Sequence, residues 1–219
     1  KMSQEEVEYA ESCMSRSIGH CMTMGTASTM AVMVESLGLT LSGASAIPAA
    51  DSRKKVMAQL SGRRIVEMVK ENLTIDKILT REAFENAIKV NAAVGGSSNF
   101  IIHLTAIAGR IGVELNLEDF DTLGSKIPLL LNLMPSGKYL MEDFYYAGGL
   151  PVILNELKKE LHQNVITVTG KNHHDNIDGN TECYNEDVIA KYESPIKPEA
   201  GCVVVKGNLA TNGAVIKPS

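Results

Sequence analysis

The chain has 219 residues, 44% of them hydrophobic and 21% charged, and a net charge of −5. That composition is ordinary for a globular chain, and its negative balance leaves no basic footprint for nucleic acid or an anionic membrane surface. The least polar stretch, Met22 to Leu41, contains Glu35 and many Ser and Thr residues, so it reads as a buried core helix and not as a membrane span.

In chain order, Ser3-Gln4-Glu5-Glu6 is a capping-box pattern that predicts a first helix through about Arg16. A second runs from the small residues Gly25 to Thr29 through Ala31, Val32, Met33, Val34 and Leu37 to a glycine stop at Gly38. Asp51 caps a third, whose apolar positions are Val56, Leu60, Ile65, Met68 and Val69. Thr80 caps a fourth through Val90, and Gly95-Gly96-Ser97 leads into a fifth that ends before Gly112. Ile127 to Leu133, bounded by Pro128 and Pro135, has the length and apolar character of a strand. Tyr139 to Leu161 reads as helix broken at Gly148-Gly149. Composition shifts near His162: Val165–Val168 and Cys202–Val205 are β-like, with a polar loop between them.

Cys21 is the most informative residue. It lies at or just before the predicted second helix, where the positive end of the helix dipole favours thiolate, the form that binds metal or attacks carbon. The opposing reading is a packed, inert cysteine. Cys13, Cys21, Cys183 and Cys202 are widely spaced and make no C-x-x-C, so free thiols in a reducing cytoplasm are expected. A zinc site from His20, Cys21, His173, His174 and Cys183 fits no zinc spacing.

The run Cys21-Met22-Thr23-Met24-Gly25-Thr26-Ala27-Ser28-Thr29-Met30 resembles a segment of the dihydroxy-acid and 6-phosphogluconate dehydratase family. Further blocks follow in the family's order: Ile47-Pro48-Ala49, Gly95-Gly96-Ser97-Ser98-Asn99 with His103-Leu104, Leu117 to Phe120, Pro135 to Tyr139, Met141 to Pro151, Thr167 to Lys171 and Gly207 to Ala210. The resemblance covers nearly the whole chain. It departs at Ser98, where threonine is commoner, at His20, and at His173-His174, which replaces part of a family loop. The resemblance implies an α/β fold, with residues 1–161 the helix-rich part of a layered iron–sulfur-binding domain and 162–219 the start of a β-rich, barrel-like C-terminal domain.

It also implies an iron–sulfur hydro-lyase, carrying a 2Fe-2S or 4Fe-4S cluster and Mg2+, that removes water from a 2,3-dihydroxy carboxylate to give a 2-keto acid. Cys21 corresponds to the last of three cysteine ligands. The other two, the magnesium ligands, a modified lysine, a glutamate ligand and the serine base correspond to segments outside Lys1–Ser219, so the chain is expected to be an inactive internal piece of a longer protein. The Met-Gly-Thr-Ala-Ser-Thr form resembles the sugar-acid branch (arabinonate and xylonate dehydratases) more than the branched-chain biosynthetic dihydroxy-acid dehydratases. The alternative from another class is a non-catalytic interaction module. A small hydroxy-acid substrate, a homo-oligomer (dimer or tetramer), no membrane and no nucleic acid complete the expected partners.

Three more residues are substrate-binding candidates. Ser97 and Ser98 precede a helix, where backbone N–H groups and hydroxyls hold either a carboxylate or simply the helix cap. Lys138 follows a turn and meets a substrate carboxylate, pairs with Glu142 or Asp143, or stays solvated. His103, among apolar residues at helical spacing, is expected in the core. His173-His174 is expected exposed, and Lys217 carries no signal.

Overall fold

A computed structural model describes residues 2–14, 17–177 and 181–217. It is helix-rich with one small sheet. The elements are α1 (Gln4–Met14), α2 (Thr26–Ser36), α3 (Ser52–Lys70), α4 (Ile75–Ile78), α5 (Arg81–Ala93), α6 (Asn99–Arg110), α7 (Leu117–Gly124), α8 (Met141–Tyr146), α9 (Gly149–Glu156), α10 (His173–Ile177), β1 (Val203–Gly207) and β2 (Ala210–Ile216).

Local chemistry sets most helix ends. The Ser3 hydroxyl accepts the Glu6 N–H while Glu6 accepts the Ser3 N–H, the reciprocal capping box that starts α1. Ser15 and Arg16, where the sequence puts its end, lie outside the described residues. At the end of α2, Gly38 takes φ +76°. Its N–H donates to the Glu35 carbonyl and that of Leu39 to the Val34 carbonyl, the paired bonds of a Schellman stop. The Asp51 carboxylate accepts the Arg53 N–H to open α3, and the Thr80 hydroxyl accepts the Ala83 N–H to open α5. The predicted break at Gly148-Gly149 separates α8 from α9, both glycines having positive φ.

The core lies where α5 packs against α2, α7 and α9, with α6 beside α2. Phe84, Ile88, Val32, Met33, Leu104, Phe120, Leu150 and Ile153 fill it. Segments after His162 join the same core through Val165, Ile177, Val188, Ile189 and Cys202. Asn86 holds the His162 backbone by both its N–H and its carbonyl.

The apolar positions of α3 are largely in water: of its 19 residues only Met68 is buried, and Val56, Leu60, Ile65 and Val69 are exposed. Three expectations need correction. The Ile127–Leu133 run is extended but forms no strand. Leu129, Leu131 and Leu133 make single bridges to Lys197, Ile189 and Tyr139, three different neighbours, so no ladder propagates. Val165–Val168 likewise makes one bridge, Ile166 to Asn172. His103 is exposed, because the buried stripe of α6 runs through Phe100, Ile101, Leu104 and Ala108.

The Cys202–Val205 segment does become a strand. β1 pairs antiparallel with β2 in the register Val203 with Ile216 and Val205 with Ala214. The Val204 N–H donates to the Asp121 carboxylate and so ties this hairpin to α7. No helix among the described residues is long and apolar enough to cross a membrane.

Candidate functional site

Cys21 lies five residues before α2, not in its first turn. The groups that perturb its thiol most are those of Thr23. The thiol Sγ is 3.1 Å from the Thr23 hydroxyl, and hydrogen bonds from the Thr23 side chain and backbone lower its pKa below the usual value. Burial instead pushes the Cys183 and Cys202 thiols up. Cys21 is exposed and free, so it combines access with thiolate character.

The segment Gly19–Met24 forms a strap over the start of α2. Ser28, buried in the first turn of α2, donates from its hydroxyl to the Thr23 carbonyl at 2.7 Å. His20 Nδ1–H donates to the Cys21 carbonyl at 2.7 Å. The Met24 N–H donates to the Met134 carbonyl and the Met141 N–H to the Met22 carbonyl, each at 2.7 Å. The strap is therefore clamped on both sides by the chain around Pro135–Lys138.

The glycine loop approaches from the other side of the α2 N-terminus. The Ser97 N–H donates to the Thr29 hydroxyl at 2.9 Å, and Asn99 Nδ2 donates to the Thr26 hydroxyl at 2.7 Å. Gly96 is obligatory here, since an added Cβ would overlap the Asn91 side chain and press on Thr29. Backbone N–H groups of Gly95, Gly96, Ser97 and Asn99 are all engaged within the chain. The hydroxyls of Thr26 and Ser97 lie 3.4 Å apart at this junction, and each also accepts a hydrogen bond from Asn99. Ser98 is exposed and makes no side-chain cap bond; Ser97 accepts the Asn99 N–H in its place.

Three separate sequence blocks thus converge on the start of α2: the Cys21 strap, the Gly95–Asn99 loop and the Pro135–Lys138 turn. Ser136 lines a cavity together with Gly95, Gly96, Asn91, Cys202 and Lys217. The side chain of Lys138 is exposed, and its N–H donates to the Asn132 side chain. Asp143, one of its expected ion-pair partners, accepts the Leu140 N–H.

The dihydroxy-acid/6-phosphogluconate dehydratase N-terminal family model matches residues 1–176. The chain belongs to this family. It is 56% identical over 221 residues to an L-arabinonate dehydratase of Rhizobium leguminosarum bv. trifolii, covering 100% of this chain and 38% of the relative. It is 54% identical over 213 residues to an L-arabonate dehydratase of Azospirillum brasilense, covering 96% and 36%. A dihydroxy-acid dehydratase of Ignicoccus hospitalis is 44% identical over 203 residues, covering 92% and 37%. The chain spans less than two-fifths of the length of these relatives.

The family's dehydratases generally use an iron–sulfur cluster and Mg2+, and such clusters take cysteine thiolates. Cys21, exposed and held toward thiolate, fits one such ligand position. Among the described residues no group of three or more His, Cys, Asp or Glu side chains is gathered to hold a metal. A cluster at Cys21 would take its remaining ligands from outside them.

The placement of four residues of this dehydratase-family chain is not legible in its sequence. His173 is buried, not exposed: one ring nitrogen lies 2.8 Å from the Ser36 carbonyl, and burial lowers its pKa. His174 is half-buried. Lys217 reaches back to donate to the Gly95 carbonyl at 2.9 Å, and burial lowers its pKa. Glu35 sits fully inside the core. Thr23 carried a local signal, a hydroxyl two residues after the cysteine; the long-range partners of His173, Lys217 and Glu35 carried none.

Proposed function

We propose that this chain is part of an iron–sulfur-dependent hydro-lyase that dehydrates a 2,3-dihydroxy sugar acid (an aldonate) to a 2-keto-3-deoxy acid. The observation that carries the reading is Cys21, the exposed thiol whose pKa is pulled down, standing in the family's cysteine block on a strap clamped from both sides. When bound, the cluster would supply a Lewis-acidic iron for the departing C3 hydroxyl, beside Mg2+ at the carboxylate and C2 oxygen.

The chain's own part is to hold and orient. Cys21 serves as a cluster ligand and does not attack substrate. Hydrogen bonds from Thr23 lower the thiol's pKa, which favours the ligating thiolate, and Ser28 fixes the strap that carries it. Ser97, Ser98 and Lys138 are our substrate-side candidates. The Ser97 hydroxyl, 3.4 Å from that of Thr26, suits a hydroxylated ligand, and the exposed Lys138 ammonium suits a carboxylate. We also propose 1–161 as the cluster domain and 162–219 as the opening of a β-rich, barrel-like domain; the β1–β2 hairpin suits the β-rich end, while Val165, Ile177, Val188 and Ile189 pack into the same core as α5. We also propose a cytoplasmic location, which the four free thiols suit, and a homo-oligomeric state.

Identity favours the sugar-acid branch, 56% and 54% against 44% for the dihydroxy-acid dehydratase. The second reading, a branched-chain biosynthetic dehydratase, rests on that lower but extensive match. Activity of the full-length protein on a panel of aldonates and on 2,3-dihydroxyisovalerate separates the two. Turnover of an aldonate well above the branched acid is expected, and the reverse order overturns the substrate assignment. Iron and sulfide analysis of the same preparation tests the cluster.

A further inference from the structure

Glu35 is a carboxylic acid in a place that disfavours one. It lies in the last turns of α2 and is 2% exposed. Burial raises its pKa, and bonds to Ser45 and Gly43 with the charge of Lys54 only offset this. An apolar side chain of similar volume would avoid that desolvation. What the carboxylate does instead is grip a loop. One oxygen accepts the Gly43 N–H at 2.5 Å and the other the Ser45 N–H at 2.8 Å, while Lys54 donates to the Ala44 carbonyl at 3.2 Å. Three consecutive backbone units are pinned from two helices.

That loop runs directly into the back of the cysteine strap. Ser45 to Ala49 line one cavity together with Gly19, His20 and Met22. Gly19 takes φ +112°, and a Cβ placed on it would sit 2.7 Å from the Ala49 Cβ. The two segments are therefore in contact two residues before Cys21. Helix α2 grips the strap at both levels: Ser28 in its first turn holds the Thr23 carbonyl, and Glu35 near its end holds the loop behind Gly19.

We propose that Glu35 is a positioning residue for Cys21, acting through the pinned loop 43–49 that backs the strap at Gly19. The functional meaning rests on the reading of Cys21 as a cluster ligand; the mechanical coupling does not. Glu35 touches no reacting group. Its role is to keep the strap in one place so that the sulfur is presented in a fixed position.

The test is peptide-resolved hydrogen–deuterium exchange on full-length, metal-free protein, comparing wild type with Glu35→Gln, Ala49→Gly and Asn86→Ala. Glu35→Gln keeps the shape but turns one acceptor into a donor facing a backbone N–H. Exchange should quicken in peptides over 42–49 and also over 17–25, by about 3- to 10-fold, the change expected from one lost buried hydrogen bond. Ala49→Gly leaves Glu35 intact and removes the contact at Gly19, so it should loosen 17–25 even if Glu35→Gln fails to fold. Asn86→Ala breaks the remote tie to His162 and should leave 17–25 unchanged.

If Glu35→Gln quickens only 42–49, or Ala49→Gly leaves 17–25 at the wild-type rate, or Asn86→Ala moves 17–25 as much, Glu35 is merely structural and the proposal is overturned. Because exchange is read without metal, such a result leaves the ligand reading standing. Full iron retained by Cys21→Ser would overturn that reading alone.

Discussion

Helices α5 and α3 carry similar apolar patterns and meet opposite fates. Nine of the 13 residues of α5 are buried, against one of 19 in α3. The difference lies in the neighbours. α5 is packed by α2, α7 and α9, whereas α3 is held by its Asp51 cap, the Lys54 bond to Ala44, and Arg64, which donates to the Val168 carbonyl and pairs with Glu71. Periodicity says which face is apolar. Only a partner decides whether that face leaves water.

The comparison can be broken by substitution. Phe84→Ala in α5 removes a ring that is 0% exposed. It should cost about 3–5 kcal/mol, the range for buried aromatics, seen as a shifted midpoint in urea denaturation. A shift near zero would mean that α5 is not the centre of the core.

A smaller effect sharpens the link between α2 and the segment beyond His162. His173 is buried with its ring against the Ser36 carbonyl, and its pKa is lowered from about 6.5. Its folded-state pKa therefore lies below the unfolded one, and the unfolded chain binds the proton more readily. Stability from this group is fully present above about pH 6.5 and is lost as pH falls from there toward the depressed folded value. His173→Gln keeps a donor for Ser36 without titrating. The wild-type-minus-variant stability should fall below pH 6.5 with a slope of up to about 1.4 kcal/mol per pH unit. Parallel curves would show that the ring is not held neutral.

The smallest effect belongs to α3. Val66 is exposed, so Val66→Ala should change stability by no more than about 0.5 kcal/mol, since exposed positions rarely matter more. A loss above about 1 kcal/mol would reveal a partner on that face.

What was legible in the sequence follows the same division. The Ser3–Glu6 box, the caps at Asp51 and Thr80, the stop at Gly38 and the break at Gly148-Gly149 are settled within a few residues, and each was readable. The reading failed where distant chain decides. The α3 face, the exposure of His103 and the burial of His173 depend on contacts no local pattern encodes. The Ile127–Leu133 run looked like a strand because it is apolar and extended, yet its bonds go to three separate segments. At the site, Cys21 was legible from its motif. The helix begins at Thr26, within the run of small residues as read, and the groups that lower the thiol's pKa are the side chain and backbone of Thr23, two residues on. In the sequence Glu35 is only an interruption of an apolar run.

The central claim is that Cys21 holds iron, and Cys21→Ser in the full-length protein tests it most directly. Serine is nearly isosteric but a poor ligand for iron. The variant should lose the cluster and its visible absorption, while its metal-free form unfolds at the same denaturant concentration as metal-free wild type. Cys13→Ala, Cys183→Ala and Cys202→Ala should each keep the cluster. Full iron and full activity in Cys21→Ser would make Cys21 an ordinary structural thiol and contradict the account.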